Sequence, residues 1–199
     1  MESSFKVPKG LGRALGTLIR VNGFYTNCYR PIGIKFPEKT TLVGFTGLEE
    51  DMVCLYSNLF KLTYHVNSDK ELFTIEVTVK GRCISDDLCV GGLEVEKGVH
   101  IFSMTSDKEI TFSLYLLKAT GIRDAKQNQQ LLKDSNAFAF QSRHSTVKNI
   151  YFNVEESIDG SDEETVDFSI EGASREVLEE ALNRSIQQLT NVKNQLIMV

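Results

Sequence analysis

Residues 72–79 read Leu72-Phe73-Thr74-Ile75-Glu76-Val77-Thr78-Val79. Successive side chains of a strand point to opposite faces, so Leu72, Thr74, Glu76 and Thr78 share one face and Phe73, Ile75, Val77 and Val79 the other. The second set is wholly apolar, so this strand packs one face on a core. Just upstream, Lys61-Leu62-Thr63-Tyr64-His65-Val66 alternates in the same way, and Asn67-Ser68-Asp69-Lys70 between the two runs is turn chemistry. Residues 60–80 therefore read as a hairpin.

Outward from this pair, short strands are expected at 41–46, 52–56, 93–96, 99–104, 110–117, 137–141 and 147–154. Gly91-Gly92, Lys97-Gly98 and Ser106-Asp107-Lys108 punctuate them. Short strands spaced by about ten residues predict a mainly β chain with an antiparallel β-sandwich or barrel-like body at residues 21–154, followed by a C-terminal α-helix of coiled-coil type. Residues 121–136, rich in Gln and Asn, are a short helix or an exposed loop.

Composition sets the outer bounds. The chain has 199 residues, 41% of them hydrophobic and 25% charged, with a net charge of −5. A core of that size supports itself without a metal or disulfide staple. Collagen, a disulfide-dense mini-protein and a mainly disordered chain are excluded. Cys28, Cys54, Cys83 and Cys89 form no CxxC pair, which speaks against structural zinc. Buried reduced thiols are the first reading, and one or two disulfides in an oxidising compartment the second. Residues 1–9 hold no apolar leader core, and no stretch approaches the roughly 18 apolar residues of a membrane span, so a cytoplasmic protein is expected.

Charge is uneven. Residues 1–40 carry seven basic side chains against two acidic ones, a local balance of +5, whereas residues 155–180 carry eleven acids against Arg175, a balance of −10. Residues 1–20, with Gly10, Gly12 and Gly16, read as a loosely structured basic arm. Residues 155–173, rich in Gly, Ser and acids, read as a solvated linker, with a short strand at Val166–Ile170 as a minor alternative. Arm and linker are complementary and could pair within a chain or between copies.

Residues 174–199 contain neither Gly nor Pro. Ser174 suits an N-cap, and Glu176, Glu179 and Glu180 suit the positive end of a helix dipole. Leu178, Leu182, Ser185, Leu189, Val192, Leu196 and Val199 recur in steps of four and three, the a/d spacing of a coiled coil. Such a helix is about 39 Å long. Six apolar seam residues offer about 10–15 kcal/mol gross if something covers them. That cover is another helix, in a second copy or a partner, or else the chain's own β-core. Ser185 would weaken the seam or set its register. The pattern still runs at Val199, so the expectation is that a partner buries this end or that the native chain continues.

No residue set announces catalysis. His65, His100 and His144 form none of the HxH, HxxxH or HExxH spacings, and GxSxG and P-loop motifs are absent from the sequence. Neither metal nor cofactor is expected. Asp86-Asp87 reads as a pair of solvated turn carboxylates, and His144, in a polar Ser/Arg/Thr loop, is a candidate anion contact or a plain hairpin tip. Phe24, Tyr25, Tyr29 and Phe36 interleave with basic residues. Lys6, Lys9, Arg13, Arg20, Arg30 and Lys35 are thus candidate anion or nucleic-acid contacts.

Phe138-Ala139-Phe140, Arg143, Ser145-Thr146, Lys148 and Ile150-Tyr151-Phe152, followed by an acidic stretch and a coiled-coil helix, resemble the end of the GOLD domain in the p24 family of transport-vesicle cargo receptors. The resemblance covers about 60 residues; the family's signal peptide and paired cysteines have no counterparts here. It implies a trafficking adaptor with a membrane span beyond residue 199.

The reading that follows is a non-enzymatic structural or protein–protein interaction module that oligomerises through its C-terminal helix, with itself or another helical protein. The alternatives are a viral or nucleic-acid-associated structural protein using the basic arm, and the trafficking adaptor.

Overall fold

A computed structural model describes residues 2–38, 41, 42, 44, 47–156, 162–172 and 175–197; of Val192 and residues 195–197 it describes the backbone alone. The elements run β1 (Glu2–Pro8), α1 (Gly12–Asn22), β2 (Cys28–Lys35), α2 (Met52–Lys61), β3 (His65–Val66), β4 (Leu72–Lys80), β5 (Arg82–Ile84), β6 (Leu93–Glu94) and β7 (His100–Ser103). They continue as β8 (Glu109–Ala119), β9 (Gly121–Arg123), α3 (Ala125–Leu132), β10 (Phe138–Ala139), β11 (Ser142–His144), β12 (Asn149–Glu156), β13 (Glu163–Glu171) and α4 (Arg175–Ile197). Strand accounts for 42% of the chain and helix for 29%, so the chain is mainly β, with antiparallel sheets and a C-terminal helix. Among the described residues no closed barrel forms.

The chain divides into two compact units, residues 1–26 with 145–199 and residues 27–144. The first is assembled from both ends of the sequence. Its sheet has the order β1-β13-β12, all antiparallel. With α1 following β1 and α4 following β13, this is a split β-α-β motif whose middle strand arrives last. Its core joins Ile19 of α1 to Val166, Phe168 and Ile170 of β13, Ile150 of β12, and Leu178 and Ala181 of α4. Phe168 sits between Phe5 and Phe152, with ring centroids 5.3 and 5.9 Å away.

Here the arm and linker expectations are corrected. Residues 2–8 are a strand paired with 163–169, from Glu2 opposite Ser169 to Pro8 opposite Glu163. The arm and the acidic segment do pair within the chain, as backbone ladder rather than as tethered charge. Ion pairs Lys6–Glu163 (3.7 Å) and Lys9–Glu156 (3.3 Å) follow from that register. Val166, Phe168 and Ile170 supply the apolar alternation that makes the segment a strand despite its acids. The remainder of the expected linker, 157–161 and 173, lies outside the described residues, as does the expected N-cap Ser174.

Two of the arm's glycines, Gly12 and Gly16, serve close packing, while Gly10 takes a positive φ of 89° at a turn with open space around it. A Cβ at Gly16 would run into the Phe152 ring, and one at Gly12 would meet Glu164, Val154 and Val166. Gly12 and Gly16 thus form the face that lets α1 lie close on the sheet. Buried Glu164 accepts a hydrogen bond from the Gly12 N–H, a carboxylate placed at the electropositive end of α1.

The second unit is built on a six-stranded antiparallel sheet, β10-β2-β8-β4-β5-β7. The apolar face of residues 72–79 points inward as expected, with Ile75, Val77 and Val79 buried. Their partner differs: β4 lies against β8, from Leu72 opposite Leu117 to Lys80 opposite Glu109, while His65–Val66 pairs with Leu93–Glu94. The 60–80 hairpin does not form. Residues 52–56, expected as a strand, belong to α2. Asp51 accepts from Cys54 N at 2.7 Å as its N-cap, and Met52, Leu55 and Leu59 form a buried helical stripe. With the β3–β6 ribbon, α2 joins the core that a second large sheet would cover in a sandwich. Of the strand expected at 41–46, residues 43, 45 and 46 lie outside the described residues.

Candidate functional site

Helix α4 has 23 residues and its neighbour α1 has 11, about 35 and 17 Å of helix. That mismatch shapes the site. Over its first three turns α4 lays Leu178, Ala181, Leu182 and Ser185 onto the core of its own unit; Leu178 is 5% and Ser185 3% exposed. Asn22, the last residue of α1, sends its side-chain amide to Ser185 Oγ (2.8 Å) and Gln188 Oε1 (3.1 Å). The Arg184 guanidinium donates to the Tyr25 carbonyl. Beyond these contacts the cover stops: Ile186 is 61% and Leu189 57% exposed, and residues 186–191, 193 and 194 are all exposed.

The predicted seam is therefore divided. Leu178, Leu182 and Ser185 pack within their own unit, where Ser185 receives Asn22 and donates to the Ala181 carbonyl at 2.8 Å. Leu189 lies uncovered among the described residues. The side chains of Val192 and Leu196 and all of Val199 lie outside the description, although the backbone of α4 carries the helical register through Ile197. Sequence reasoning missed Asn22 and Ile186; the Asn22-Gly23 pair ending α1 was the available signal for where cover runs out.

The six candidate anion contacts are divided between the two units, Lys6, Lys9, Arg13 and Arg20 in one and Arg30 and Lys35 in the other. Lys6 and Lys9 pair with acids of their own unit, and Arg13 and Arg20 are exposed on α1. Arg30 lies in the other unit, where its guanidinium donates to the carbonyls of Phe60 (3.3 Å) and Leu62 (2.7 Å) and stands 5.3 Å from the Phe60 ring centroid. It caps the C-terminal end of α2. Lys35 meets Asp134 at 2.7 Å; this hydrogen-bonded contact raises the Lys35 pKa and lowers that of Asp134.

His144 is not at a hairpin tip but fully buried. Its Nδ1 lies 3.1 Å from the Cys28 carbonyl, which can only accept, so Nδ1 carries the proton. Nε2 is then an acceptor for the Ser142 hydroxyl at 2.9 Å. Asn128 donates to Ser142 Oγ (3.0 Å) and to the Phe140 carbonyl (2.7 Å), and accepts from Arg123 Nε (3.0 Å). Burial pushes the imidazole pKa down, the nearby Arg123 and Arg30 charges add to this, and the Cys28 carbonyl opposes it. A serine beside a histidine acceptor is the geometry of a nucleophile and its base. Both groups here have no exposed surface, and the chain of hydrogen bonds ties β9, β11 and α3 to β2.

His100 reaches Glu50 at 2.6 Å, an exposed contact. Asp87 accepts from Ile84 N at 2.8 Å, closing a local turn, and Asp86 accepts from Gly98 N at 2.6 Å, tying that turn to a segment 12 residues on. No disulfide joins Cys28, Cys54, Cys83 or Cys89; Cys83 is buried, with its pKa raised by that burial, whereas Cys54 and Cys89 are exposed. Among the described residues no group of three or more His, Cys, Asp or Glu converges as a metal site, and no helix is long and apolar enough to cross a membrane.

The residues that resemble the p24 ending are split by the fold: Phe138–Arg143 belong to the unit of residues 27–144 and Ser145–Phe152 to the other. No protein-family description and no curated protein matches the sequence.

Proposed function

We propose that this chain is a non-enzymatic assembly module that associates with a second copy of itself through the distal half of α4. The observation that carries the reading is the overhang of α4 past Asn22, with Ile186 and Leu189 uncovered on a helix whose apolar spacing continues at Val192 and Leu196. A helix end of this length is marginal in water unless its stripe is buried. Its occupant is argued from charge. Residues 186–197 carry one charged side chain, Lys193. Two copies can therefore lie together with little repulsion, and a strongly charged partner would find nothing to pair with.

Sedimentation of the full chain at tens of micromolar tests the reading. The expected result is an associated species that Leu189→Glu converts toward a smaller one while the circular dichroism spectrum is unchanged. A wild-type chain that sediments as a monomer overturns it.

A further inference from the structure

Strand β1 is the end of its three-stranded sheet: β13 pairs with one edge, and among the described residues no strand pairs with the other. Residues of β1 face the first turns of α4. Between them runs a groove of about 470 Å³, with Phe5, Leu178 and Leu182 lining its apolar part and Glu2, Arg175 and Glu179 beside them. A fourth strand laid along β1 would complete the sheet and cover this apolar lining.

We propose that the fourth strand is β1 of a second copy, paired antiparallel about a two-fold axis through Ser4. In that register Glu2 stands opposite Lys6 of the second copy and Lys6 opposite its Glu2, with Ser3 opposite Phe5. Residues directly opposite in an antiparallel pair share a face, so both charge pairs form on the open side of the joined sheet and both phenylalanines lie on the helix side. The two-fold makes one surface complementary to itself. Pro8, which cannot donate to a ladder, falls outside the paired residues 2–6. Lysine on an edge strand discourages most strands from adding; here the second copy's Glu2 meets it. Lys6 is available for this, since its contact with Glu163 is long and the two side chains are 71% and 54% exposed. The surface is separate from the distal half of α4 and does not rest on the reading above.

Two measurements on the full chain, both in a Leu189→Glu background that disables the α4 surface, test the pairing. In a Cys54→Ser, Cys89→Ser form, Ser4→Cys places two thiols at the two-fold, within disulfide reach of an opposed strand pair. Mild oxidation is expected to yield a covalent dimer from Ser4→Cys and monomer from Lys6→Cys. Separately, Lys6→Glu sets like charges opposite each other twice and is expected to weaken the dimer about tenfold. Adding Glu2→Lys to it is expected to restore the original dissociation constant, a rescue that general damage to β1 would not allow. Equal cross-linking at both positions, a Lys6→Glu dimer as tight as its parent, or failure of the rescue overturns the register. If the wild-type chain associates but Leu189→Glu alone is monomeric, the β1 pairing falls and the α4 reading stands.

Discussion

The Asn22 side-chain amide donates to Ser185 Oγ at 2.8 Å, joining the last residue of α1 to the one polar position in the apolar stripe of α4. The serine that looked like a register device between copies is thus spent inside one chain. It marks the level on α4 above which the chain covers its own helix and below which it does not. Ser185→Ala leaves a buried amide with only Gln188 to bond and is expected to cost about 1 kcal/mol in urea denaturation. It should not alter the sedimentation coefficient.

Leucines on the two sides of that level should behave differently. Leu178→Ala opens a cavity in the core of its unit and is expected to cost about 2–5 kcal/mol. Leu189→Ala, at an exposed site, should change the stability of the monomer by less than about 0.5 kcal/mol. Denaturant midpoints measured well below the association range compare the two directly. Equal losses would place Leu189 in a monomer core.

Gly16 reverses the usual effect of alanine in a helix. At an open position Gly→Ala gains up to about 1 kcal/mol. Here the new methyl meets the Phe152 ring. Overpacking of about 1–3 kcal/mol outweighs the propensity gain, so Gly16→Ala should lower the thermal midpoint.

His144 gives stability a pH dependence. Its folded pKa lies below the ordinary 6.5, chiefly through burial. Between the two values the unfolded chain binds more protons than the folded one, so this contribution is complete above about pH 6.5 and is lost as pH falls toward the folded pKa. The urea midpoint of the wild type is expected to drop between about pH 7.5 and about pH 5.5. His144→Gln, less stable throughout, should lose that part of the slope.

Arg30 is a test of structural against ligand roles. Its guanidinium closes the carbonyls of Phe60 and Leu62 at the end of α2. Arg30→Lys keeps the charge but not the fork, and should destabilise the chain by about 1–3 kcal/mol. Were Arg30 instead a phosphate contact, the same variant would keep its stability and its affinity for a polyanion would still fall steeply with salt.

The sequence by itself determined which faces are apolar. The alternation of residues 72–79 put Ile75, Val77 and Val79 inward, and the four-three spacing after residue 174 made α4 a helix with one apolar stripe. Those are local periodicities, and the backbone reads them without reference to distant residues. Tertiary structure decided what each face meets. Residues 163–171 became a central strand only because Glu2–Pro8, some 160 positions away, supplies one ladder and Asn149–Glu156 the other. Glycines that read as slack became the contact surface of α1 because Phe152 and Val166 crowd against them. The stripe of α4 was divided at Ser185 because α1 ends at Asn22, and no spacing within α4 records the length of the helix beside it.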